Sequence, residues 1–181
     1  MSSLTVWKFN TADGAARALS KLEELQKQQL IQVLDAAVVS WPEGRKRPQT
    51  RQAVDTVAVG ALGGVFWGML FGLLFFAPLL GALVGATAGA ISGRFTDYGI
   101  NDDFIKDVQS KVTEGTSALF LLTGQVTLDK VEAAFAPEER GELIQSKLSA
   151  EQEAKLREDF GAEVYTLPGY RFYPLDKVEM R

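Results

Sequence analysis

The chain has 181 residues, enough for one compact domain with an insertion, and carries a formal net charge of −4. It contains no histidine and no cysteine, which excludes the common nucleophile–base pairs, thiolate chemistry, His/Cys zinc sites and any disulfide framework. The acidic balance argues against a nucleic-acid partner, and the start, MSSLTVWKFN, lacks the basic region and long apolar core of a signal peptide.

The first elements are those of an α+β domain. LTVWKF, residues 4–9, is rich in β-branched and aromatic residues and reads as a strand. Thr11 is expected to cap a helix over 12–28, with Ala15, Ala18, Leu22 and Leu25 on its inward stripe. IQVLDAAVVSW, 31–41, is a second strand. PEG turns the chain at 42–44, and residues 45–51 return as a short edge strand whose Pro48 limits pairing.

A charge-free run then extends from Thr56 to Gly93, between Asp55 and Arg94. As one helix it would be about 57 Å long, far more than a bilayer core of about 30 Å. Ala77-Pro78 interrupts it, because proline removes a helical hydrogen bond and disfavours helix at the residue before it. Two helical arms follow, 56–76 and 79–94, folded back at that point. Glycine falls every fourth residue, at Gly60, Gly64, Gly68 and Gly72 and again at Gly81, Gly85, Gly89 and Gly93. With the turn at 76–77, position i faces 153 − i, which sets Gly72 against Gly81, Gly68 against Gly85, Gly64 against Gly89 and Gly60 against Gly93. Ala82, Ala86 and Ala90 widen the small-residue stripe. Such stripes let helix backbones approach closely. Leu74 lies off the stripe and is expected to meet lipid.

The tip, LLFFAPLLG, has no polar side chain, unlike a turn that emerges into water. It either stays inside the bilayer as a re-entrant wedge or meets the tips of other copies in a dry oligomer core. The second arm, roughly 24 Å, is short for a full span and favours the wedge or a tilted hairpin. Arg45, Lys46, Arg47 and Arg51 precede the hairpin and Arg94 follows it. Positive charge on both flanks of the hairpin fits lipid headgroups on the cytoplasmic side of the cytoplasmic membrane, with about 1 kcal/mol of attraction each. For Arg45 to Arg47 an ordinary solvated turn is the alternative.

Beyond the hairpin, Asn101 or Asp102 caps a helix to about residue 113, with Phe104, Ile105, Val108 and Val112 inward, and Gly115 stops it. SALFLLTG is a near-continuous apolar run and is expected at the centre of the sheet. Thr127 opens a short helix that ends near Pro137. GELIQSKLS is a further strand. Ser149 and Gln152 form a capping box for a helix to residue 160. The tail, 161–181, reads as an extended arm that docks on a neighbour. Asp97, Asp102, Asp103 and Asp107 are the only carboxylate cluster. Asp103 and Asp107 are one helical turn apart, where a cation binds weakly. Stabilising a helix N-terminus is the stronger reading for Asp102 and Asp103.

This order predicts a ferredoxin-like sandwich, residues 1–54 and 96–160, with the hairpin at 55–95 inserted and the arm at 161–181 appended. Its helices are expected on one face of the sheet, leaving the other to be covered by a second subunit, the tail or the extra elements.

GLLFFAPLLGALVGATAGAISG, DYGINDDFIKDV and GTSALFLLTG together resemble a bacterial family known only as the domain of unknown function numbered 1269. The resemblance covers most of residues 3–150. It implies a membrane-associated protein with a glycine-zipper hairpin, and no reaction, catalytic residue or cofactor. The leading expectation is therefore a homo-oligomeric structural protein whose hairpin wedges into the lipid membrane while its soluble domains form a lattice or ring. A small pore is the first alternative, opposed by arms whose polar groups are only Thr56, Thr87 and Ser92. A soluble particle or tube with the hairpins buried inside is the second.

Overall fold

The protein's computed structural model describes residues 2–30, 33–52, 64–76, 93–137 and 139–160. Five strands form one antiparallel sheet: β1 (Ser2–Phe9), β2 (Val33–Ser40), β3 (Gln49–Gln52), β4 (Ser117–Gly124) and β5 (Glu142–Lys147). Their spatial order is β3-β2-β4-β1-β5. The near-continuous apolar run of β4 takes the central place, where both faces of a strand are buried. Ala118, Phe120 and Leu122 serve one face, Leu119 and Leu121 the other.

Two helices seal the second of these faces. Helix α1 (Gly14–Lys27) joins β1 to β2 and buries Ala15, Ala18, Leu19 and Leu22, the expected stripe with Leu19 added. Helix α4 (Gln125–Ala134) joins β4 to β5 and contributes Val131, with Phe135 just beyond it. Each connection skips a strand: β4 lies between β1 and β2, and β1 lies between β4 and β5.

The opposite face is also covered by the chain itself, by one of the extra elements expected there together with the first arm of the charge-free run, which was expected apart from the sheet. Helix α2 (Gly64–Phe71) runs into a π-helical turn, Gly72–Phe76. Helices α3 (Asp102–Lys111) and α5 (Ala150–Phe160) join it on Leu4, Val6, Ala37, Val39 and Phe120. The physical reason is the charge-free run: its first arm carries enough aromatic and leucine surface to seal a sheet face, and burying that surface removes it from water.

Local signals mostly act as their chemistry predicts. Asn101 Oδ1 accepts the Phe104 N–H at 2.9 Å and caps α3, whose Phe104, Ile105 and Val108 are buried, as is Val112 beyond it. Gly115 takes φ +84, the left-handed region where glycine alone has no steric penalty. The capping box closes both ways, Ser149 N–H to Gln152 Oε1 at 2.9 Å and Gln152 N–H to Ser149 Oγ at 3.1 Å. Three expectations need correction. Thr11 does not cap α1. Asp13 holds the cap position without a side-chain bond, while the Thr11 carbonyl accepts from Ser117 Oγ at 2.6 Å. The edge strand is Gln49–Gln52, because Pro48 and the turn before it cannot pair. Helix α4 begins at Gln125 rather than Thr127.

Gly60, Ala77, Pro78, Gly81, Gly85, Gly89 and the 161–181 arm lie outside the described residues. Among the described residues no helix is long and apolar enough to cross a membrane.

Candidate functional site

The arm at 64–76 has no charged side chain, and a helix apolar on all sides is ordinarily buried on all sides. Here one side is seated. Phe66, Trp67, Leu70 and Phe71, at helical spacing, and then Leu73, Leu74 and Phe75 face the sheet and are buried. Trp67 stacks on Phe71 with ring centroids 5.7 Å apart, and Phe71 meets Phe120 edge-on at 5.1 Å.

One carboxylate lies beneath them. Asp35, fully buried, sits where the register of β2 shifts between Val33 and Asp35. Its Oδ2 accepts the Trp67 Nε1–H at 3.1 Å and its Oδ1 accepts the Ala36 N–H at 2.8 Å. A carboxylate in an apolar core needs such donors, because its desolvation is otherwise prohibitive. This bond locates Trp67 over the start of β2. At the other end Phe75 packs edge-on against Trp41, centroids 6.3 Å apart, just past Ser40. The arm therefore runs along β2 in the same direction. Gln109 Nε2 of α3 donates to the Leu73 carbonyl at 3.3 Å within the π turn. The described chain resumes at Gly93, and Phe95 packs against Phe66 at 5.7 Å. The described chain thus ends at the far end of the arm, at Phe76, and resumes beside its start.

The glycines take the opposite side. Gly68 is exposed and Gly72 half-buried, and a Cβ added at Gly68, Gly72 or Gly93 would meet nothing within 4 Å among the described residues. Val65 beside them is 68% exposed. Gly64 opens α2. No predicted rung has both members described, so the 153 − i pairing lies outside the described residues. Leu74 corrects another expectation: it is 2% exposed and belongs to the core rather than to a lipid-facing surface. The π turn brings Leu73, Leu74 and Phe75 inward in succession.

The five residues expected at lipid headgroups are sorted into three places. Arg45, Lys46 and Arg47 are exposed on the turn between β2 and β3, at the Phe75 end of the arm. The Trp41 indole N–H donates to the Arg45 carbonyl at 2.8 Å and holds that turn. Arg51 pairs in register with Val38, whose side chain faces α1, so it belongs to the other sheet face. Arg94 lies at the opposite end of the arm, next to Phe95.

Among the described residues no group of three or more carboxylates is arranged to hold a metal ion. Asp97 pairs with Lys155 at 3.7 Å and Asp107 with Lys111 at 3.3 Å, while Asp102 and Asp103 occupy the first turn of α3. Lys111 also reaches Glu142 at 2.6 Å. That bond, then the one to Asp107, raises its pKa, and Glu142 is lowered in return. Tyr98 donates to Asp159 and tethers α5 over the arm's return. Burial first, and then that hydrogen bond, push its phenol up to about 12.

A family model described as a protein of unknown function (DUF1269) matches residues 61–161. The chain belongs to that family. The match begins just before α2 and ends just after α5, so it takes in the arm, its return and the central strand. No curated protein and no solved structure is similar to the chain at a significant level.

Sequence reasoning missed one feature: a groove of about 540 Å³ over the end of β1, on the α1 and α4 side. Its walls come from three separated stretches, 8–21, 135 and 139–142, and no local motif joins them.

Proposed function

We propose that this protein is a self-assembling, membrane-associated structural protein, with its glycine-zipper hairpin carried on a ferredoxin-like domain. The observation that carries the reading is the two-sided arm. Its aromatic side seals a sheet face, and its glycine side at Gly68 and Gly72 is bare among the described residues. Glycine inside a helix costs about 1 kcal/mol against alanine, and close helix packing is what offsets that cost. The zipper partner is the second arm, and the tip beyond it is the part that reaches lipid. The first arm is the support, which makes the protein monotopic rather than spanning. The sheet order and the two strand-skipping helical connections support the ferredoxin-like reading, with β3, α2 and α3 all inserted between β2 and β4, a wider insertion than the expected 55–95.

Cysteines placed singly at Gln49 and Asn101 test the topology. Both are expected to label from the same side of a sealed vesicle, and the protein is expected in the membrane pellet as a homo-oligomer. Labelling from opposite sides would falsify the hairpin. A second reading, a soluble particle with hairpins inside, is favoured by the depth at which the first arm is buried. A high-mass species in the soluble fraction of a lysate, with none in the pellet, would establish it instead.

A further inference from the structure

The groove at the end of β1 has a distinct chemistry. Arg17 and Lys21 stand one turn apart on α1, and Arg140 faces them from the connection into β5. Phe9, Ala18 and Phe135 supply apolar walls. Lys8, Arg17, Lys21 and Arg140 outnumber Glu139 and Glu142 along its lining, in a chain whose net charge is −4. The cations are held in place. Arg140 Nε donates to the Phe135 carbonyl at 2.9 Å, and Lys21 lies 4.7 Å over the Phe135 ring. The existing ion pairs are weak ones. Arg17 meets Asp13 at 3.5 Å with both side chains about 70% exposed, and Lys21 meets Glu139 at 2.9 Å on the surface. Exposed pairs of this kind contribute little. A phosphate accepts two hydrogen bonds from each guanidinium and carries more charge than one carboxylate, so it competes well for the same donors.

Position adds to chemistry. Phe9 pairs with Ser117, and Ser117 with Ser40, so the groove and the Arg45–Arg47 turn lie at one end of the sheet. That is also the end at which Phe75 and Phe76 terminate the arm, on the opposite face. The volume is within the ordinary range for small-molecule sites, about 300–1,000 Å³.

We propose that this groove binds a phosphate monoester, with Arg17, Lys21 and Arg140 on the phosphate and Phe9 and Phe135 against the group that bears it. The phosphate comes either from a lipid headgroup at the end where the hairpin leaves the domain or from a soluble phosphorylated molecule. Only the lipid source rests on the membrane reading.

The full chain is titrated with glycerol 3-phosphate by calorimetry. In parallel it is floated with phosphatidylcholine vesicles with and without phosphatidic acid. Saturable binding of glycerol 3-phosphate is expected. Arg17→Gln and Arg140→Gln are each expected to weaken it about ten- to hundredfold. Lys27→Gln, on the same helix but outside the groove, is expected to leave it unchanged, and Arg17→Lys to restore part of it. Extra flotation with phosphatidic acid that is lost in the arginine variants assigns a lipid source, whereas binding of the soluble ester alone keeps the site and assigns a soluble one. Absence of saturable binding, or equal affinity in the arginine variants, overturns the proposal. The calorimetric result does not depend on whether the hairpin inserts.

Discussion

The two faces of the sheet are sealed by helices that follow different rules. On one face α1 is amphipathic: it buries Ala15, Ala18, Leu19 and Leu22, while Arg17, Ser20, Lys21 and Glu24 remain in water. On the other the arm buries Phe66, Trp67, Leu70 and Phe71 and yet has no charged side chain on its far side. Sealing a sheet needs only one apolar stripe, as α1 demonstrates. Among the described residues the small, apolar side of the arm is bare at Gly68 and Gly72, and sealing the sheet does not call on it. The proposed assembly would use a surface of this kind for a second packing event.

The sharpest way to break this comparison is to remove the buried side of the arm. Phe71→Ala is expected to cost about 3–5 kcal/mol of stability and Leu74→Ala about 2–5 kcal/mol, in the range of Leu22→Ala on the opposite face. Urea unfolding of the three variants measures this. A loss under about 1 kcal/mol at both arm positions, with a full loss at Leu22, would show that the arm does not seal the sheet in solution.

The return of the chain to this face gives a smaller, pH-resolved effect. Tyr98 is buried and its phenol is pushed from 10.0 up to about 12, chiefly by burial and then by the bond to Asp159. The folded state therefore favours the neutral phenol. This stabilisation is fully present below pH 10 and is lost as pH rises from 10 to about 12. Tyr98→Phe is expected to lower stability at neutral pH by about 1.5–3 kcal/mol and to flatten the alkaline limb of a stability–pH curve. An unchanged limb would mean that Tyr98 is not the group that titrates there.

How much of this was legible in the sequence depends on where the information sits. The central place of β4, the cap at Asn101 and the Ser149–Gln152 box rest on short stretches whose chemistry is self-contained, and each is found. The family was legible too, through three motifs around the arm. The fate of Leu74 was not. In a charge-free run the outward and inward sides have the same polarity, so periodicity cannot tell a sheet-facing leucine from a lipid-facing one. The π turn then rotates Leu73, Leu74 and Phe75 inward together, which a regular helical count does not allow. How the basic residues before the arm are distributed was not legible for a related reason. Arg47 and Arg51 are four residues apart in sequence, but the β2–β3 pairing puts Arg51 with Val38 on the other face. Register, not spacing, decides which charges share a surface.

Two glycines give the smallest effects and the finest test of the difference between the faces. At Gly14 a Cβ would lie 2.6 Å from Phe9 Cβ, a contact that forces the start of α1 away from β1. Gly14→Ala is therefore expected to destabilise by about 1–3 kcal/mol, the usual cost of overpacking. At Gly68 a Cβ meets nothing within 4 Å among the described residues, so helix propensity is the only local term. Gly68→Ala is expected to raise the stability of the isolated domain by up to about 1 kcal/mol. Assembly should respond in the opposite sense. If a second helix closes on this stripe, Gly68→Leu holds it off by the width of a side chain and reduces oligomer size and protease resistance, even though the domain itself remains folded. Thermal melts report the first quantity and sedimentation the second, on the same samples. A Gly68→Leu protein that melts higher and assembles like the parent would leave propensity as the whole story. The small-residue stripe would then carry no packing role.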